Sequence, residues 1–401
     1  MTIRPLLAAA GILLCAGLHP GAAQTPAIKV GVLTDMSGPY ASVTGKGTVE
    51  AAKLAAEDFE KAFPGRKVEI VSADHQNKPD VALSLARKWY DVDGVSAIAE
   101  LTTSAIALAA QKLAEDKNKI VLISGAGSSD LTGKSCSRNG FHWTYDTFAL
   151  ANGTGRAIMQ QGAKKWFFVT VDYAFGAALE KDVTQAVKAM GGEVIGGVKH
   201  PLNTPDFSSF LLQAQASKAD VIGLANAGND LVNTIKQGNE FGIGGNQRMA
   251  ALLVYINDVH ALGLEKAKNV YLTTGFYWDM NDATRTWSKR FHDRVGAMPS
   301  MAQAGVYSAV THYLKAVQRA GTDEAQAVSR AMKDMKVEDF FAQGGKVRED
   351  GRMVHDMYLV RVKEPSQSKG PWDYYELVRT IKGDDAFRPM ADGGCPLVQA
   401  K

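Results

Sequence analysis

Cysteine is scarce in this chain, three in 401 residues. A disulfide-dense miniprotein is therefore excluded. So few thiols, poorly accompanied by histidine, also give no zinc site. A surplus of one charge is lacking as well. Lys and Arg number 45 against 42 Asp and Glu, for a formal net charge of +3. Nucleic-acid affinity rests on neutralising phosphates, so no nucleic-acid partner is expected. Beyond residue 23 no uninterrupted apolar run reaches the ~18 residues a membrane helix needs.

Catalytic and cofactor signatures are missing too. There is no G-x-S-x-G elbow. Gly133-Lys134-Ser135 looks like the end of a phosphate loop, but five residues separate Gly127 from Gly133 where the motif has four. Gly125-Ala126-Gly127 begins a dinucleotide fingerprint whose third glycine would fall on Asp130. His75, His142, His200, His260, His292, His312 and His355 are scattered, without the H-x-x-x-H spacing of a helical metal site. Glu57, Asp58 and Glu60 fit a solvated helix face rather than a ligand cluster. No cofactor, no metal and no enzymatic activity are expected.

What is present is an ordinary globular composition, 46% apolar and 22% charged. At about 100–200 residues per domain the length suggests two domains. The chain opens with Arg4, an apolar stretch Leu6–Leu18 and the small residues Gly21-Ala22-Ala23. This is the pattern of a secretory leader cleaved after Ala23. Leu14 precedes Cys15 where lipidation needs a small residue. The mature protein is expected to be soluble and periplasmic. Removing the leader leaves Cys136 and Cys395. An even pair in an exported chain reads as one disulfide, tying the C-terminal tail to a loop near the middle. Two free thiols are the alternative.

The rest alternates short β-branched runs with amphipathic stretches. Strands are expected at Ile28–Thr34, Lys67–Ala73, Val95–Ala99 and Ile120–Ser124, with helices at Lys46–Lys61, Pro79–Tyr90 and Ser104–Glu115 between them. A Gly/Ser-rich stretch, Gly125–Asn139, interrupts. The rhythm then restarts with strands at Lys165–Val171, Glu193–Val198, Ala219–Leu224 and Arg248–Val254 and helices at Phe175–Met190, Asp206–Ser217 and Asn229–Phe241. Such alternation predicts parallel sheets covered by helices on both faces. Later come helices Met301–Ala320 and Asp323–Met335, then strands Met353–Val362 and Tyr374–Thr380.

In open α/β sheets ligands sit beyond the carboxyl ends of strands. The first strand is followed by Ser37-Gly38-Pro39-Tyr40, the third by Thr102-Thr103-Ser104, and the fourth ends in Ser124-Gly125-Ala126-Gly127-Ser128. Hydroxyls and free N–H groups at a helix start suit a carboxylate. Ser and Thr also cap helices without any ligand. The second unit offers Tyr173 and Phe175, then Asn226, Ala227 and Gly228, then Tyr255 at the matching places. Phe276-Tyr277-Trp278 comes where the chain would return to the first.

SGPY, the Thr/Ser run, SGAGS and DYAFG occur in one order along the chain. With the leader, this ordered set resembles the leucine/isoleucine/valine-binding family of type I periplasmic binding proteins. The resemblance implies two doubly wound parallel-sheet α/β lobes joined by a hinge of three crossings. One lobe would hold residues 24–146 and 275–342, the other 147–274 and 343–401. It implies a monomer that closes over a small carboxylate and delivers it to an inner-membrane ABC permease. Carried over by position, Thr102, Thr103 and Ser104, with Gly125, Ala126 and Ser128, would hold the carboxylate. Phe175 matches a family tyrosine, and Phe276 lies near a family aromatic. Tyr40, Tyr173, Asn226, Ala227 and Tyr255 complete the expected set. One departure matters. Amino-acid-binding members carry an acid in the second lobe for the ligand's ammonium. The matching stretch here, Met249–Asn257, has none, and Asp258 comes only at its end. A buried ammonium without a counter-charge is costly. An aromatic carboxylate is therefore favoured over a branched-chain amino acid. A ligand sensor for a membrane regulator, which would use the same closure, is the other alternative.

Overall fold

The computed structural model describes residues 26–243, 245 and 247–398. The expected leader and its cleavage point lie outside them. In the first lobe, β1 (Ile28–Thr34), β2 (Val68–Asp74), β3 (Ala97–Glu100), β4 (Ile120–Ile123) and β5 (Gly140–His142) form one sheet. Its order is β2-β1-β3-β4-β5 and every pair is parallel. Alternate residues of a strand point to opposite faces, and here both faces are apolar. Val30, Val32, Ala99, Ile120 and Leu122 pack in one cluster with Leu54 of α1 (Gly45–Ala62) and Val306 and Val310 of the later helix Met301–Ala320. Leu33, Ile98, Val121 and Ile123 pack in another with Ala86 and Trp89 of α2 (Pro79–Asp91) and Ile106 of α3 (Ser104–Asp116). Each fully buried Val, Leu or Ile contributes about 1.5–3 kcal/mol. Gly31 lets the second layer approach, since a Cβ there would stand 2.5 Å from the Trp89 ring.

The second lobe repeats the plan with β6 (Lys165–Val171), β7 (Glu193–His200), β8 (Val221–Ala225) and β9 (Arg248–Ala251), all parallel, in the order β7-β6-β8-β9. Trp166 and Phe168 share a cluster with Leu179 and Val183 of α4 (Ala174–Ala189). Val169, Ile222 and Leu224 face the other way, against Leu211 of α5 (Ser208–Ala216) and Leu231 and Ile235 of α6 (Gly228–Glu240). A short helix, α7 (Ile256–Leu262), follows β9. β9 is shorter than expected because the chain turns toward the cleft at Leu252. After β10 (Tyr271–Thr274) the chain returns to the first lobe. There α8 (Asp282–Val295), α9 (Met301–Ala320) and α10 (Ala325–Asp334) follow. On the outer surface, Glu57 and Asp58 of α1 pair with Arg294 and Arg290 of α8. Exposed pairs of this kind contribute under about 1 kcal/mol.

The last segment differs from the expectation in two ways. The strand read over Met353–Val362 is two: β13 (Met353–Val354) closes a small antiparallel sheet with β11 (Val337–Glu338) and β12 (Gln343–Val347), and β14 (Met357–Val362) pairs with β10 and with β15 (Tyr375–Ile381). His355 and Asp356, between them, carry the chain across. In addition, residues 343–354, expected with the second lobe, pack on the first. Arg352 bridges to His142 beside β5, and the His142 N–H donates to Gly351 O at 2.9 Å. The cause is the Arg352 guanidinium. It is fully buried, donates to Tyr145 O and Met353 O, and lies 4.3 Å over the Phe387 ring.

The three crossings touch one another. A His355 ring nitrogen lies 2.8 Å from Thr144 O, and a Cβ on Gly275 would stand 3.0 Å from both the His355 ring and Thr144 O. Cys136 and Cys395 are joined, with their Cα atoms 5.6 Å apart. The bond thus returns the tail that follows β15 to a loop of the first lobe. A cross-link spanning 259 residues contributes roughly 5 kcal/mol at most on chain entropy.

Candidate ligand cleft

The carboxyl ends of both parallel sheets converge on one narrow cleft. It is lined by Tyr40, Val43, Thr44, Thr102, Ser104, Gly125, Gly127, Tyr145, Tyr173, Phe175, Ala227, Leu253 and Tyr255, and encloses about 10 Å³. That is room for about one water, so the facing walls are nearly in contact. Two larger grooves, of about 660 and 670 Å³, share no lining residue with the cleft.

On the first wall, β1 ends in a turn built around Asp35. Its carboxylate accepts from Gly38 N–H at 2.7 Å and Tyr40 N–H at 2.9 Å, which fixes Ser37-Gly38-Pro39 and aims Tyr40 at the cleft. β3 ends under strain. Glu100 and Leu101 have φ of 85° and 61°, in the left-handed region that side chains disfavour. This places Thr102 and Ser104 at the start of α3. Thr102 Oγ1 accepts from Asp35 N–H at 3.0 Å and donates to Glu100 Oε1 at 3.0 Å. Ser104 Oγ accepts from Ser128 N–H at 3.1 Å, which leaves its own proton to donate. The first-turn N–H groups of α3 have no intrahelical partner.

The second wall is aromatic. Tyr173 and Phe175 follow β6, Ala227 follows β8, and Tyr255 begins α7. The walls meet through hydroxyls. Tyr40 and Tyr173 lie 2.9 Å apart, and Tyr145 and Tyr255 2.7 Å. Tyr145 donates to Gly125 O at 2.5 Å, so Tyr255 must be the donor in its pair. The Tyr255 oxygen can then only accept from a ligand. Asn229 N–H donates across to Pro39 O at 3.1 Å. Gly228, with φ of 59°, permits this approach, since a Cβ there would stand 2.6 Å from Pro39 O.

Among the described residues no carboxylate lines the cleft. Those nearby are held elsewhere and their protons are held more tightly by burial. Asp230, which accepts from Asn203 and Thr204 N–H groups, is pushed up to about 6. Asp258, which caps Tyr255 N–H, is pushed up to about 7. Among the described residues no three His, Cys, Asp or Glu side chains gather as a metal-binding group.

Eight of the expected residues therefore come together: Tyr40, Thr102, Ser104, Gly125, Tyr173, Phe175, Ala227 and Tyr255. Five do not line the cleft. Thr103 is the buried N-cap of α3. Ala126 turns into the core behind β4, its carbonyl bonded to the His142 ring. The Ser128 side chain caps the turn Ser129–Thr132 instead. Asn226 is buried, its amide nitrogen held by His200 and Thr234, with Oδ1 unpaired among the described residues. Phe276 packs on Trp287, Phe340 and Phe341 in the first lobe. Val43, Thr44, Gly127, Tyr145 and Leu253 line the cleft without having been expected.

A family model described as periplasmic binding protein matches residues 27–371. The chain belongs to this family. Two similar solved structures come from Burkholderia. A periplasmic binding protein of B. mallei is 51% identical, with a TM-score of 0.91, over 93% of this chain and 99% of that one. A branched chain amino acid ABC transporter periplasmic ligand-binding protein of B. xenovorans is 40% identical, with a TM-score of 0.82, over 92% and 99%. A solute-binding protein of an ABC transporter from Rhodopseudomonas palustris, solved with 3,4-dihydroxy benzoic acid, shares the fold at 24% identity and a TM-score of 0.78, over 89% and 98%. As a periplasmic binding protein of the ABC-transporter kind, this chain binds small molecules outside the cytoplasm and works with a membrane permease.

Proposed function

We propose that this periplasmic binding protein captures a small aromatic carboxylate for an ABC importer, acting as a monomer after cleavage behind Ala23. The carrying observation is the lining: four tyrosines and Phe175, hydroxyl and N–H donors at the start of α3, and, among the described residues, no carboxylate. In a carboxylate complex the anion would sit at Ser104 and the first turn of α3, where donors and the helix dipole favour negative charge. The ring would lie against Phe175, Tyr173 and Leu253. Hinge closure would bury it, and the closed form would be what the permease recognises. The R. palustris protein lends support from a fold relative solved with an aromatic acid.

The name of the B. xenovorans relative favours a branched-chain amino acid instead. Its ammonium would need a counter-charge that this lining lacks. Calorimetry with benzoate, hydroxybenzoates, phenylpropanoids, leucine and valine decides between them. Micromolar or tighter binding of aromatic acids, with no heat from leucine, is expected. Tight leucine binding with no response to aromatic acids overturns the proposal.

A further inference from the structure

Beneath the cleft floor lies a carboxyl group that the cleft itself does not expose. Glu100 is fully buried at the end of β3. Its side chain sits under Gly125, where a Cβ would stand 2.3 Å from Oε1 and 2.6 Å from Oε2. Oε1 accepts from Thr102, and among the described residues Oε2 is buried without a well-formed hydrogen bond. The Ser124 hydroxyl, just past the next strand, faces the same carboxyl. Two successive left-handed residues, Glu100 and Leu101, hold this arrangement. Strain of this kind persists only where surrounding structure enforces it, and it clusters at functional sites.

The consequence concerns Thr102. A threonine hydroxyl has one proton and two lone pairs. With Glu100 ionised, the proton goes to Oε1, a lone pair goes to Asp35 N–H, and nothing remains to donate into the cleft. With Glu100 protonated, the carboxyl can donate to Thr102, and Thr102 can turn its own proton toward a ligand. Resting on the carboxylate proposal above, we infer that Glu100 is a positioning residue that acts through Thr102, so that capture of a carboxylate requires Glu100 protonated and, in alkaline solution where it is ionised, takes up a proton from solvent. Burial supports this protonation, pushing Glu100 up to about 8 against the Thr102 and Ser124 hydroxyls, which favour the ion, with the nearby Asp35 charge adding to the rise. Tyr145 and Tyr255 are the other titratable groups facing it. Both are raised by burial and stay neutral in this range.

Calorimetry of wild-type protein with benzoate and 3,4-dihydroxybenzoate, from pH 6 to 9.5 and in two buffers of different ionisation enthalpy, tests this. Affinity should be level below about pH 7.5 and fall about tenfold per unit above pH 8, with about one proton taken up per ligand at pH 9. In Glu100→Gln the amide donates to Thr102 at every pH. That variant should bind about tenfold tighter than wild type at pH 9, without proton uptake. Binding of these acids with level affinity and no proton uptake overturns the inference while leaving the carboxylate proposal standing. No binding of either acid at any pH overturns both.

Discussion

Across the cleft the first lobe presents Thr44, Thr102, Ser104, Gly125 and Gly127, whereas the second presents Tyr173, Phe175, Ala227, Leu253 and Tyr255. Apart from Tyr40, Val43 and, in the crossing, Tyr145, the first wall is backbone, glycine and short hydroxyls, with its donors fixed by turns and by the start of α3. The second is ring and aliphatic surface, with polar groups only at the tyrosine tips. The two sheets follow the same doubly wound plan, so the difference does not come from architecture. It comes from what each chain segment carries just past its strands. A wall of fixed donors can hold a charge in one orientation. A wall of rings can match the shape and substituents of what is attached to that charge. Neither is complete until the lobes meet, which makes closure part of recognition.

The largest effect should come from keeping the walls apart. Gly228→Val would set a branched side chain against Pro39 O and the Tyr40 ring, at a φ that valine disfavours. The stored aromatic surface would then find only half a site. Ligand affinity should fall more than about 100-fold, equivalent to roughly 3 kcal/mol. Small-angle scattering should lose any ligand-induced compaction. Wild-type affinity in this variant would mean that the first wall suffices alone.

Much of the fold was legible because buried parallel strands are near-continuous apolar runs. Ile120-Val121-Leu122-Ile123 is one, and β1, β3, β6 and β8 read the same way. Eight of the residues read from the strand-end rule line the cleft. The rule failed where burial overruled the local pattern. Asn226 follows β8 as a ligand residue might, yet it is buried and its amide nitrogen is taken up by His200 and Thr234. Phe276 was absorbed by an aromatic cluster whose other members lie at Trp287, Phe340 and Phe341, too far along the chain for a local signal. Tyr145 sits in a crossing, outside any strand-end motif. Residues 343–354 joined the first lobe through the buried Arg352, whose partners come from another part of the chain. Glu100 was hidden because nothing in Ala-Glu-Leu-Thr distinguishes a buried carboxyl from an exposed one.

A middle-sized effect sharpens the role of the first wall. Ser104→Ala removes a hydroxyl proton that no acceptor among the described residues claims, and leaves the N–H groups of α3 in place. A hydrogen bond to a charged group contributes about 1.5–3 kcal/mol. Affinity should therefore drop roughly 30-fold, and by the same factor for every aromatic carboxylate, because the ring does not reach this wall. A loss that varies with ring substituents would shift the anion away from Ser104.

The smallest effect belongs to the second wall and should behave in the opposite way. The proton of Tyr255 runs to Tyr145, whose own runs to Gly125 O, so the order of donors along this chain is fixed. Tyr255 can offer a ligand only a lone pair, which suits a phenolic O–H and does nothing for an unsubstituted ring. In Tyr255→Phe the preference for hydroxybenzoates over benzoate should shrink about fivefold, close to the 1 kcal/mol of a neutral hydrogen bond. Competition calorimetry with paired ligands measures that ratio directly and cancels any change in closure common to both. An unchanged ratio would move substituent recognition to the Tyr40–Tyr173 pair, where either hydroxyl can be the donor and one proton remains free for a ligand acceptor.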